Sequence, residues 1–186
     1  MATLLIAQRY AKAIFDLSVE MNVVEDVRSD MELIQSVCSS NKDFRLLLKS
    51  PVIRPDKKII VLEALFKNKI SDLSMRYLSI ITRKRREQFI NDIATEYISI
   101  YKKFKNIFIL HLESARAVSS DIRKKIVSLL EDKTQGTIEL HEKVKEELVG
   151  GFVFSYDDYK YDASIAYQLR KMKKAVAEFN FYISEL

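Results

Sequence analysis

The sequence predicts an α+β chain, with a six-helix bundle over residues 1–105 and a small α/β domain over residues 106–186. Three observations predict it. No glycine occurs before Gly136, and apolar residues in the first hundred positions recur at spacings of three and four, as amphipathic helices require. At Asn106 the pattern passes into Ile107-Phe108-Ile109-Leu110-His111-Leu112-Glu113, rich in β-branched and aromatic residues, which signals a strand. Two of only three glycines then stand together as Gly150-Gly151. A chain that otherwise avoids glycine uses it where the backbone takes a positive φ or passes close to another element.

The first helix is expected from about Leu4 to Met21. Ile6, Tyr10, Ile14 and Leu17 form one apolar stripe, with Ala7, Ala11 and Phe15 beside it. The second begins near Val24 and carries Val27, Met31, Ile34 and Cys38. Asn41 is placed to cap a short third helix bearing Phe44, Leu47 and Leu48, which Ser50-Pro51 ends. Pro55 suits the first turn of a fourth helix, where its missing amide is not needed; Ile59, Leu62, Leu65 and Phe66 follow. Ser71 or Asp72 opens the fifth, with Met75, Leu78 and Ile81 inward. The sixth carries Phe89, Ile93, Tyr97, Ile100 and Phe104. Short connections between such helices make a bundle.

In the second part, Ser119-Ser120-Asp121 is placed to cap a helix through Leu130, and a second strand is expected around Thr137 to Val144. Phe152 to Tyr156 reads as a third strand, Asp157-Asp158 as a turn, and Tyr159-Lys160-Tyr161 as the return strand. Asp162 is placed to cap the final helix, with Ala163 and Ser164 in its first turn. Gly150 and Gly151 are expected to serve this fold and not a ligand, because Glu146, Glu147, Asp157 and Asp158 would repel an anion.

Composition excludes several classes. Three glycines and two prolines are too few for a collagen-like or linker-rich chain. The single Cys38 allows neither an internal disulfide nor a cysteine zinc cluster, which suits a reducing compartment. Charged residues interrupt every apolar run before the roughly 20 residues a spanning helix needs, and the first residues lack the features of a secretory or transit segment. The expectation is a protein of the bacterial cytoplasm that reaches a membrane only through a partner.

No catalytic constellation is legible. His111 and His141 fall on expected strands and do not complete a metal site. Three glycines cannot build a phosphate loop or dinucleotide fingerprint, so no cofactor is expected. Residues 1–105 hold 19 Lys+Arg against 13 Asp+Glu, residues 106–186 hold 12 against 13. The densest basic run, Arg83-Lys84-Arg85-Arg86, has two readings. One is a phosphate-contacting patch on RNA or DNA, which makes the chain a basic helical adaptor. The other is a solvated helix end, where cations are favoured. Steep salt dependence of binding separates the first reading from docking of an apolar helix.

The segments Leu148-Val149-Gly150-Gly151-Phe152-Val153 and Tyr161-Asp162-Ala163-Ser164-Ile165 resemble the C-terminal signature of the delta subunit of rotary F-type ATP synthases. The mitochondrial counterpart of that family confers oligomycin sensitivity. Ala7-Gln8-Arg9-Tyr10-Ala11-Lys12-Ala13-Ile14-Phe15 is similar to the family's opening motif, and Leu46-Leu47-Leu48-Lys49-Ser50-Pro51 to its leucine-rich step into a proline turn. The chain departs from the pattern at Ser155 and Asp157-Asp158, where the family carries a basic residue and a glycine.

The resemblance implies a non-catalytic stator protein that stops the catalytic head from turning with the central shaft. Its helical domain is expected to bind the N-terminal helix of an α subunit, and its C-terminal domain the C-terminal end of the b subunit, at the cytoplasmic face of the cell membrane. Ala7, Tyr10, Ala11, Ala13 and Ile14 of the first helix, with Tyr77 and Ile81 of the fifth, are the candidate α-subunit groove; core packing is the alternative for each. Arg170, Lys173 and Lys174, with Phe179, Phe181 and Tyr182 of the crowded tail, are the candidate b-subunit site. For the tail, packing within this chain is the alternative.

Overall fold

The computed structural model describes residues 2–156 and 159–173. Among them are eight α-helices and a four-stranded sheet, an α+β chain that divides into two compact units, Met1–Phe104 and Lys105–Leu186.

Six helices belong to the first unit: α1 (Ala2–Glu20), α2 (Val24–Ser40), α3 (Lys42–Lys49), α4 (Pro55–Phe66), α5 (Asp72–Arg83) and α6 (Ile90–Phe104), with a 3-10 turn at Glu87–Phe89 before α6. Local chemistry sets several boundaries. The Asn41 side chain accepts from the Phe44 amide at 3.0 Å, and the Ser71 hydroxyl oxygen accepts from the Ser74 amide at 3.3 Å. Pro55 occupies the first turn of α4. Asp30 of α2 accepts from both the amide and the hydroxyl of Ser71, at 3.0 and 2.6 Å, which ties the start of α5 to α2.

α6 packs against both α1 and α2. Its inward stripe is Ile90, Ile93, Ala94, Tyr97 and Tyr101, so Phe89 lies in the preceding turn and Phe104 is exposed. The buried face of α1 is Ala7, Ala11, Ile14, Phe15 and Ser18. The alanines let α6 come close, and Phe15 meets Tyr97 with ring centroids 5.6 Å apart. Burial pushes the Cys38 thiol up to about 11, which keeps it protonated and inert at neutral pH.

The second unit holds β1 (Ile107–Ser114), α7 (Ser120–Thr134), β2 (Thr137–Val144), a 3-10 turn at Glu146–Leu148, β3 (Phe152–Tyr156), β4 (Tyr159–Asp162) and α8 (165–173). The sheet order is β2-β1-β3-β4. β1 and β2 run parallel, as a helical crossover allows, while the β1–β3 and β3–β4 pairs are antiparallel. Leu110, Leu112, Ser114, Ile138 and Val153 are its buried strand residues among those described. The turn expected at Asp157-Asp158 lies outside the described residues.

Candidate interaction surfaces

α1 carries two apolar stripes, and only one enters the core. Ile6, Tyr10, Ala13 and Leu17 stand on the other, half-buried or exposed. The Tyr77 hydroxyl of α5 donates to the Tyr10 carbonyl at 2.7 Å, so α5 reaches α1 there across the length of a tyrosine side chain. Burial, and then the nearby Tyr10, raise the Tyr77 hydroxyl well above its ordinary value, which keeps it a proton donor. Ile6, Arg9, Tyr10, Ala13 and Arg86 line a shallow groove of about 360 Å³, and Ile80 of α5 is 54% exposed.

This corrects the expected residue set. Of the candidate groove residues, Tyr10, Ala13 and Tyr77 reach the surface, whereas Ala7, Ala11, Ile14 and Ile81 are fully buried in the core. Their small or branched side chains fill the helix contacts of the first unit and have no atoms left for a partner.

The stretch around Gly150 and Gly151 is tightly folded on the start of α8. Gly151 has φ +75°, and a Cβ there would lie 2.3 Å from the Ala163 carbonyl oxygen. A Cβ on Gly150 would meet the tip of Ile165 at 2.6 Å. The preceding Val149 has φ 63° and ψ −39°, and the Gly150 amide donates to the Leu148 carbonyl at 2.7 Å. That is a positive-φ γ-turn, a strained conformation for a β-branched residue.

The expected cap is corrected as well. Asp162 ends β4, and its carboxylate accepts from the Ser164 amide at 3.0 Å, as in an Asx turn. Buried Ser164 is the N-cap: its hydroxyl oxygen accepts from the Tyr167 amide at 3.1 Å.

Hydrogen bonds from Ser164, and then the charges of Arg170 and Lys160, hold the Asp162 carboxyl below its ordinary value of 3.8. A lowered value means the carboxylate stabilises the fold above the ordinary value, and that this is lost as pH falls through the lowered one. Acid titration of unfolding checks this: Asp162→Asn is less stable than the native chain at neutral pH, and the gap closes as pH drops below about 3.8.

α8 presents Ile165, Leu169 and Met172 at helical spacing, all exposed, with Arg170 and Lys173 also exposed. Lys174, Phe179, Phe181 and Tyr182 lie outside the described residues. Beneath α7, the residues Leu110, Leu112, Ile122, Ile126, Phe152 and Phe154 line an apolar cavity of about 860 Å³. Ile122, on this lining, is 52% exposed.

Two further sequence features take their places. Arg83 closes α5, Lys84 caps it, and Arg85 and Arg86 follow in an exposed turn, the geometry of a solvated helix end. His111 and His141 are neighbours across β1 and β2, ring centroids 5.4 Å apart, with His141 2.9 Å from Glu139. Among the described residues no three His, Cys, Asp or Glu side chains converge on a metal position, and no helix is long and apolar enough to cross a membrane.

A buried ion pair went unread in the sequence. Lys58 Nζ lies 2.6 Å from Glu87 Oε1, and Lys58 is 1% exposed. The signal was present, since Lys58, Leu62 and Phe66 share one stripe of α4 and all three are buried.

The family model described as ATP synthase delta (OSCP) subunit matches residues 6–176. The chain belongs to the ATP synthase delta (OSCP) subunit family. Among curated relatives, ATP synthase subunit delta of Cytophaga hutchinsonii is 34% identical over 173 residues, covering 93% of this chain and 94% of that one. The Parabacteroides distasonis subunit delta is 31% identical, covering 93% and 96%. A chain of the Toxoplasma gondii mitochondrial ATP synthase hexamer, solved by cryo-EM, shares the fold with a TM-score of 0.71 at 21% identity, over 92% of this chain and 97% of that one. As a delta subunit the chain is a non-catalytic stator component of the F-type ATP synthase, peripheral to its membrane part.

Proposed function

We propose that the two units make two separate ties within the stator, one to the catalytic head and one to the peripheral stalk. The first unit, taken as a six-helix bundle, receives the N-terminal helix of an α subunit along the open stripe of α1 and the facing edge of α5. The observation that carries this is the Ile6-Tyr10-Ala13-Leu17 stripe, which the core of the first unit leaves uncovered. An amphipathic helix in an apolar groove is a recurring recognition mode, with i, i+3, i+4 anchors and polar specificity at the rim; Arg9 and Arg86 supply that rim.

The second unit receives the C-terminal end of the b subunit on the exposed Ile165-Leu169-Met172 stripe of α8, flanked by Arg170 and Lys173. An apolar stripe of this kind commonly marks an interaction site, and the flanking cations suit an acidic partner helix. For Lys174, Phe179, Phe181 and Tyr182 the proposal rests on sequence. The complex so formed holds the subunit at the cytoplasmic face of a bacterial membrane.

Ala13 tests the head tie with little risk to the fold, because it is exposed in the middle of α1. Ala13→Asp weakens binding of an α-subunit N-terminal peptide by about tenfold or more, while helicity and melting are unchanged. Titration calorimetry with the full chain measures it, and unchanged affinity would move the groove elsewhere.

A further inference from the structure

Two histidines that stand thirty residues apart in sequence are brought together by the sheet. His111 of β1 and His141 of β2 are register partners in the parallel pair, and both are exposed. They alternate with Leu110, Leu112 and Leu140 and so share the face opposite to those residues. Their ring centroids are 5.4 Å apart, with the planes inclined at 39°. A zinc ion at the usual Zn–N distance stands about 3.2 Å from the centroid of an imidazole that binds it. Two rings sharing one ion at a tetrahedral angle therefore lie about 5.2 Å apart, close to the spacing in the sheet.

Glu139 is the second observation. It precedes His141 by two residues on the same face of β2, and its Oε1 lies 2.9 Å from His141 Nε2. A carboxylate only accepts, so in the neutral ring Nε2 carries the proton and Nδ1 keeps its lone pair. A carboxylate that fixes ring and tautomer from behind is the usual outer partner of a metal-bound histidine, and it makes the ring a stronger ligand. Among the described residues no third His, Cys, Asp or Glu side chain converges on the position, so Glu139 acts from outside the coordination shell.

We propose that His111 and His141 chelate one divalent transition-metal ion of the zinc, nickel or copper type, with Glu139 as the residue that positions the His141 ring and water in the remaining coordination places. Two imidazole nitrogens suit such ions, whereas magnesium and calcium take oxygen ligands. The ion ties the edge strand β2 to its neighbour β1. None of these three residues belongs to either proposed tie of the stator.

The probe is zinc chloride, titrated into the full chain at about pH 7.5, where few protons compete for the ligands. The imidazole C–H resonances report it by NMR, and the chain has only these two histidines. One-to-one saturation is expected, with both rings shifting together and the melting temperature of the C-terminal unit rising. Magnesium chloride at the same concentration shifts neither ring. His111→Asn and His141→Asn, both at exposed positions, each weaken zinc binding by about tenfold or more. Glu139→Ala weakens it by about tenfold, and Glu139→Gln, whose amide oxygen still accepts from Nε2, recovers most of the loss. A part for Glu139 in the sheet alone would leave zinc affinity where it was. No saturable binding, a shift confined to one ring, magnesium acting as zinc does, affinity unmoved by Glu139→Ala, or zinc binding that survives loss of both histidines would each overturn the proposal.

Discussion

Glu87→Ala lowers the stability of the helical unit by about 3–5 kcal/mol. The alanine leaves the Lys58 ammonium 1% exposed among apolar neighbours with only the Leu48 and Ser50 carbonyls as partners, and an uncompensated buried charge is far more unfavourable than a buried pair. Lys58→Met strands the Glu87 carboxylate in the same way. Changing both, Lys58→Met with Glu87→Ala, removes the charges together and leaves two carbonyls short of a donor, so it destabilises less than the two single changes summed. Denaturant midpoints of the four proteins measure the coupling. A loss below about 1 kcal/mol for Glu87→Ala would mean that solvent reaches the pair and the account of it is wrong.

The second large effect is in the other unit. Gly151→Val destabilises the C-terminal unit by about 3 kcal/mol, the upper end for a strained backbone position. Two causes act together: a β-branched residue at φ +75° is disfavoured, and its Cβ would stand 2.3 Å from the Ala163 carbonyl, a backbone atom that cannot step aside. Gly150→Ala is the matched control. Its Cβ meets only the end of the Ile165 side chain, which is 44% exposed and free to swing away, so the loss stays below about 1 kcal/mol. Thermal unfolding followed by NMR in each unit separates the effects, and equal losses for the two glycines would contradict the close-approach argument.

What was legible in the sequence was what local chemistry decides. Asn41, Pro55 and Ser71 mark helix starts because a side-chain acceptor or a missing amide acts within three residues of itself. The strand at Ile107 showed in its composition. That Ile14 leaves its expected stripe to join Ala7, Ala11 and Phe15 in the core, with Ile6, Tyr10 and Leu17 left outside, was not legible, because it depends on α6, far along the chain, and periodicity is blind to the partner. The small residues Ala7 and Ala11 suit close approach by any helix, and α6 takes it. The cap of α8 was misplaced by two residues because Asp162 and Ser164 both carry a competent oxygen; the bend at the end of β4 decides between them. The sheet order is set by non-local pairing, and the positive φ of Val149 runs against what its side chain prefers, so neither could be read from neighbours in sequence.

Two ties on two units should act independently, and a crossed titration of both ligands shows whether they do. The full chain, Ala13→Asp and Leu169→Asp are each titrated with an α-subunit N-terminal peptide and with a soluble fragment from the C-terminal end of the b subunit. Both substitutions are at exposed positions, so both proteins should melt as the native chain does. Separate ties predict that the native chain binds both ligands at once, that Ala13→Asp weakens only the α peptide, and that Leu169→Asp weakens only the b fragment, each by about tenfold or more. If the ligands compete, or if either substitution weakens both or neither, the two-site account is contradicted.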